Sequence, residues 1–143
     1  MKNKSTKDLQ QLIQSTTIDK LDIIYEHITE YDFPTYLKTI MHNRNIKKSE
    51  LIEKANLHRT YGYQILNGKK HPSRDKVLQL AITLQCNLEE CNRLLTLAGY
   101  HILYAKNRRD SILIFSISRN LSLFEIEEYL EEYGQPLLVQ YES

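Results

Sequence analysis

The stretch "NLHRTYGYQILNGKK", residues 56–70, concentrates side chains that bind rather than react. His58, Arg59, Gln64 and Lys69 are strongly polar or basic, and they surround Gly62, which sits between Tyr61 and Tyr63. A guanidinium presents a rigid fork of donors, and a carboxamide presents donors beside an acceptor. The chemistry on offer is hydrogen bonding and attraction to anions. The glycine is out of place in a helix, where it weakens the backbone.

The surrounding charge extends this reading. The net charge is only +1, but residues 38–76 hold ten Lys or Arg (positions 38, 44, 47, 48, 54, 59, 69, 70, 74 and 76) against three acids. Residues 1–37 are net −2 and residues 77–143 net −4. A basic middle between acidic flanks points to a polyanion-binding surface. A solvated helical face is the plainer explanation, and charge alone does not separate the two.

Catalysis has no comparable signature. No Ser/His/Asp set, no phosphate-cradling glycine loop, no "HExxH" and no clustered metal ligands occur. Glu89–Glu90 and Glu127–Glu128 are adjacent pairs that point to different parts of a helix surface. Cys86 and Cys91 are spaced by five with no nearby His pair, a poor metal motif that fits two half-buried small residues. No enzyme, cofactor or metal is expected.

Long helices should position these residues. Four Gly and three Pro leave sparse punctuation, and an apolar fraction of 41% is enough for a core. No apolar run approaches membrane-spanning length, and "MKNKSTKDLQQL" lacks a signal-peptide core, so a cytoplasmic protein is expected. Helical patterns run from Ser5 to about Tyr31 in two pieces, the second capped by Thr17. Pro34 fits the first turn of a helix to about Arg44, with Phe33 as its staple. Lys48–Ala55 and Arg59–Asn67 follow, joined through Asn56 and Leu57, with Gly68 closing the second. Ser73 and Asn87 cap the next two. "SILIFSIS" (111–118) fits a strand or a buried helix; Asn107 and Asp110 favour the helix. "SLFE" (122–125) is a capping box opening a helix with Phe124, Ile126, Tyr129, Leu130 and Tyr133 inward.

The middle block resembles the Cro and phage-repressor type of helix-turn-helix, the XRE-like family. The likeness covers about sixty residues, Tyr36–Leu95, and rests on "SELIEKA", the turn Asn56-Leu57-His58, the "NGKK" exit, Pro72-Ser73 and "LQLAITLQCNLEE". It implies an all-α fold: a five-helix helix-turn-helix domain (33–99) with helical extensions at the N-terminus (1–32) and C-terminus (100–143). It also implies that the helix Arg59–Asn67 enters the DNA major groove while Lys48–Ala55 lies across its start.

Carried over by position, His58, Arg59, Thr60, Tyr63 and Gln64 face the bases. Arg59 matches guanine O6/N7, and Gln64 matches adenine N6/N7. Lys48, Asn67, Lys69 and Lys70 take positions that hold phosphates, and Arg74 joins them, with Asp75 as its other candidate partner. Tyr61 goes to the scaffold; Tyr63 fits scaffold or reading edge equally. His42 and His71 read as surface, and Arg108 and Arg109 as support for the tail. Two positions depart from the family. Asn56 replaces a usual Gly. Ile52 and Gly62 exchange the usual Ala and branched residue, so Gly62 should make room for Ile52, with Ala tolerated at 62 and Ile destabilising.

The implied function is a sequence-specific duplex-DNA-binding transcriptional regulator, a repressor in its simplest mode. Four phosphate contacts give a log–log salt slope of about −3.6. A dimer on a two-fold site would set its reading helices about 34 Å apart. The sequence leaves open a homodimer, and a protein partner on the C-terminal extension. The acidic final helix reads as cover for the DNA-binding unit ahead of a dimer seam. The competing class is an adaptor that uses the same scaffold to bind a protein such as a toxin, a kinase or a mobile-element factor; the basic block argues against that as a sole role.

Overall fold

A computed structural model describes residues 5–28 and 32–140. Among them every regular element is a helix, as the resemblance implies, and no helix is long and apolar enough to cross a membrane. The chain divides into two compact units, Met1–Glu30 and Tyr31–Ser143.

The first unit holds α1 (Thr6–Ser15) and α2 (Ile18–His27). Ser5 caps α1 by accepting the Asp8 N–H at 3.1 Å. Thr17 occupies the cap of α2 without a side-chain hydrogen bond. Ile24 is buried, whereas Ile18, Ile23 and Tyr25 stand exposed. α2 ends at His27 with Ile28 extended, short of the expected reach to about Tyr31; residues 29–31 lie outside the described residues.

The second unit begins with α3 (Phe33–Asn43). Asp32 caps it by accepting the Thr35 N–H at 2.9 Å, so Phe33 is the first helical residue rather than a staple outside the helix. α4 (Lys48–Lys54), α5 (Arg59–Leu66), α6 (Arg74–Thr83) and α7 (Leu88–Leu97) follow. Ser73 caps α6, and Asn87 with Glu90 forms a reciprocal capping box on α7. These caps satisfy N–H groups that helix starts otherwise leave unpaired.

The helix ends are equally regular. Asn45, Asn56, Gln85 and Asn120 take positive φ after α3, α4, α6 and the later α8. At each, the next residue's N–H reaches back to a carbonyl in the last turn, as Leu57 does to Ile52 at 3.1 Å. This closure needs the left-handed conformation, which Asn tolerates better than most residues with a side chain. It reverses the chain sharply between α4 and α5.

"SILIFSIS" is helical, within α8 (Arg108–Ser118), and Asn107 caps that helix. Ser122 and Glu125 form the expected capping box on α9 (Leu123–Glu132). The inward face of α9 differs from expectation: Leu123, Ile126 and Leu130 are buried, while Phe124 and Tyr133 are exposed and Tyr129 lies at the margin. The inward stripe is therefore set by Leu123 in place of Phe124. α8 and α9 share one apolar core with α3–α7: Leu113, Ile117, Ile126 and Leu130 join Leu37, Leu51, Ile65, Leu78 and Leu94. α9 packs on α6 and α8 on α7, which gives the tail its covering role. Cys86 and Cys91 are fully buried in this core rather than half-buried. Burial pushes both thiols up to about 12, which keeps them protonated and unreactive at neutral pH.

Candidate nucleic-acid interface

α4 and α5 pack across one another, and Ile52 lies against Gly62 in that contact. A Cβ placed on Gly62 would lie 2.8 Å from both Cγ1 and Cγ2 of Ile52. The exchanged pair read from the sequence is thus in direct contact. Tolerance of Ala at 62 is the part that fails, because even one added carbon overlaps the branch of Ile52.

Burying Gly62, Ile65 and Leu66 fixes the rotation of α5. The opposite edge then carries the polar residues. His58, Arg59 and Thr60 are exposed at its start, and Tyr63 and Gln64 are half-buried one turn on. Asn67, Lys69 and Lys70 are exposed where the helix exits. Among the described residues, no acid pairs with Arg59, Lys48, Lys69 or Lys70. Lys48 Nζ donates to Asn67 Oδ1 at 2.8 Å, joining the first residue of α4 to the cap of α5. The two residues expected to hold phosphate stand side by side, in a bond that water or an anion can replace.

Tyr63 borders two shallow hollows. One is lined by Lys38, His42, Lys47, Lys48 and Ser49, the other by Ser49, Glu53 and Arg59. Its ring also packs on the core. Lys38 and Lys47 therefore extend the cationic edge, with His42 between them, beyond the residues singled out from the sequence. The available signal was their spacing: Lys38 and His42 lie four apart on an exposed helix face, and Lys47 precedes Lys48.

Arg74 departs from expectation. Its guanidinium faces inward and grips Asp110 through two nitrogens at 3.1 and 3.0 Å. It also donates to the His101 and Ile102 carbonyls at 3.4 Å. Asp75, the other partner considered for Arg74, instead holds Arg109 at 2.8 and 3.1 Å, and Arg109 reaches the Pro136 and Leu137 carbonyls. Two crossed Arg–carboxylate pairs thus fasten the start of α6 to the start of α8. Arg109 supports the tail as expected. Arg74 is held by Asp110 because the carboxylate is 5% exposed and needs a cation to be stable there.

A further positioning contact comes from Gln79, which no sequence pattern marked. It is fully buried on α6, and its Nε2 donates to the Ala55 carbonyl at 2.9 Å. Ala55 is the cap of α4, so the bond supports the turn that orients α5.

Residues 36–94 match the family model for the Cro/C1-type HTH DNA-binding domain. The chain carries an XRE-like helix-turn-helix domain. Within it α4 and α5 form the helix-turn-helix pair, with α3, α6 and α7 around them. Neither curated proteins nor solved structures give a significant match to the chain. The helix-turn-helix match ends in α7, so it includes neither α1 and α2 nor α8 and α9.

Proposed function

We propose that the chain is a sequence-specific regulator of transcription that reads duplex DNA with α5 in the major groove and represses by occluding a promoter. The observation that carries this is the helix-turn-helix match combined with an α5 edge whose basic residues have no acidic partner among the described residues. Arg59 and Gln64 are the base readers, with His58, Thr60 and Tyr63 beside them. Arg59 takes guanine and Gln64 adenine, since each side chain matches that edge bidentately. Lys48, Asn67, Lys69 and Lys70 hold phosphates and set register. Arg74 is withdrawn from that set by Asp110.

Selection of bound sites from random duplex DNA tests the assignments. The wild type should yield a consensus. Arg59→Ala and Gln64→Ala should each relax one position of it, with discrimination falling by about 1–3 kcal/mol there. An unchanged consensus in both variants would remove these residues from the reading edge, and no consensus with the wild type would remove the regulator reading.

Salt dependence supplies a second measurement. With Arg74 held inward, three lysines (48, 69 and 70) remain as phosphate-binding cations, giving a log–log slope of about −2.7 per domain. Retention on DNA that does not vary with salt would favour the protein-binding adaptor instead.

A further inference from the structure

α8 and α9 enclose an open groove of about 580 Å³, outside the helix-turn-helix match. That volume falls within the range of small-molecule sites, about 300–1,000 Å³. Its apolar end is built from Ile112 and Phe115 of α8 and Tyr129 of α9. Phe115 and Tyr129 meet edge to face, 5.9 Å between ring centres. The Arg119 guanidinium lies 3.8 Å from the centre of the Phe115 ring and donates to the Phe115 carbonyl at 3.1 Å. The ring is thus braced by two neighbours while it stays 42% exposed, so the apolar wall is formed before any ligand arrives.

The other end is polar. Arg109 donates to the Pro136 carbonyl at 2.9 Å, which sets the chain after α9 beside the start of α8. Arg108, Ser111, Tyr133 and Gln135 line the groove there. Of the described residues that line the groove, only Arg108 is charged. It is exposed, and among the described residues it has no acidic partner.

An occupant must match both ends. The apolar end takes a flat ring, because offset and edge-on contacts between rings are favourable. The guanidinium presents two parallel donors that fit the two oxygens of a carboxylate. One cation balances a monoanion, whereas a phosphate monoester carries about two negative charges near neutral pH and would leave one unmatched. We propose that the α8–α9 groove binds an aromatic carboxylate, with Arg108 holding the carboxylate and Phe115, Tyr129 and Tyr133 packing on the ring. None of these residues lies on α4 or α5, so the site does not depend on the DNA reading.

An NMR chemical-shift titration of the isotope-labelled full chain with naphthoate tests this without DNA. Naphthoate should bind saturably, with a Kd of about 1 mM or tighter, and shift the amides of Ser111, Ile112 and Gln135 most. Its neutral amide, naphthamide, should bind about tenfold or more weakly, because it lacks the charge-assisted bonds to Arg108. Octanoate, which has the charge but no ring, should also bind more weakly. Arg108→Gln should bring naphthoate down to the naphthamide level and leave naphthamide unchanged, a pattern that a misfolded groove would not give. Phe115→Ala with Tyr133→Ser should weaken both naphthyl ligands, with an unchanged circular dichroism spectrum. The site is overturned if naphthoate gives no saturable shift, if the shifts centre on other helices, or if Arg108→Gln binds naphthoate as the wild type does. Equal binding of naphthamide or of octanoate by the wild type would overturn it as well. The site-selection consensus is read separately, so either reading can fail alone.

Discussion

Asp110→Ala should be the most damaging single substitution in the α6–α8 junction, lowering stability to chemical denaturation by about 3–5 kcal/mol. Asp110 is 5% exposed, and its carboxylate accepts from two nitrogens of Arg74 and from the Tyr104 N–H at 3.0 Å. Truncation leaves the Arg74 guanidinium largely buried without its counter-ion. Burial pushes the Asp110 carboxyl up, but the bonds from Arg74 and Tyr104, with the charges of Arg74 and Arg109, outweigh it and hold the group below its ordinary range. A carboxyl depressed in the fold contributes stability above its unfolded value, and that contribution is lost as pH falls through the folded value. The wild type should therefore lose part of its stability on acidification, and Asp110→Asn should show a shallower acid dependence. An alanine variant as stable as the wild type would mean that solvent replaces the pair.

The same junction marks where the sequence stopped being informative. Helix starts were legible because capping is local: Ser73, Asn87, Asn107 and Ser122 each bond within three residues of themselves. The left-handed Asn56 was legible for the same reason. Arg74 was not, since its partner Asp110 lies thirty-six positions away, whereas phosphate and Asp75 are what its own neighbourhood suggests. Long-range ion pairs depend on how helices stack, and periodicity gives each helix's apolar face but not its neighbour. α9 shows the limit at shorter range. Its apolar residues cover more than one face, so pattern alone favours Phe124 where the fold buries Leu123. Gln79 was invisible because nothing local distinguishes a buried glutamine from an exposed one. On α5 the apolar face is local: burying Gly62, Ile65 and Leu66 leaves Arg59 and Thr60 exposed and Gln64 half-buried.

Gly62→Ile should destabilise the fold by about 3 kcal/mol through overpacking, and Ile52→Ala by about 2–5 kcal/mol through a cavity. Combining the two should lose much less than their sum. Ile52 is 3% exposed, and its Cγ1 and Cγ2 both lie where a Cβ on residue 62 must go. These carbons sit at the branch, where a helical Ile has essentially one allowed χ1, so the side chain cannot swing aside. Gly62→Ala is the subtler case. Helix propensity favours Ala over Gly by about 1 kcal/mol. An approach of only 2.8 Å between carbons forces α5 away from α4, and overpacking of about 1–3 kcal/mol exceeds that gain. Ala at 62 should therefore be mildly destabilising with Ile at 52, and stabilising once Ile52 is Ala. That reversal of sign is the diagnostic result, because propensity alone would favour Ala in both backgrounds. The displacement also carries a functional consequence. α5 bears the polar edge on the face opposite Gly62, so Gly62→Ala should weaken DNA binding even where the variant remains folded. A double-mutant cycle by denaturant titration measures the coupling, expected at about 0.5–3 kcal/mol for residues in contact. Additive effects would show that the helices accommodate the extra carbon independently of Ile52.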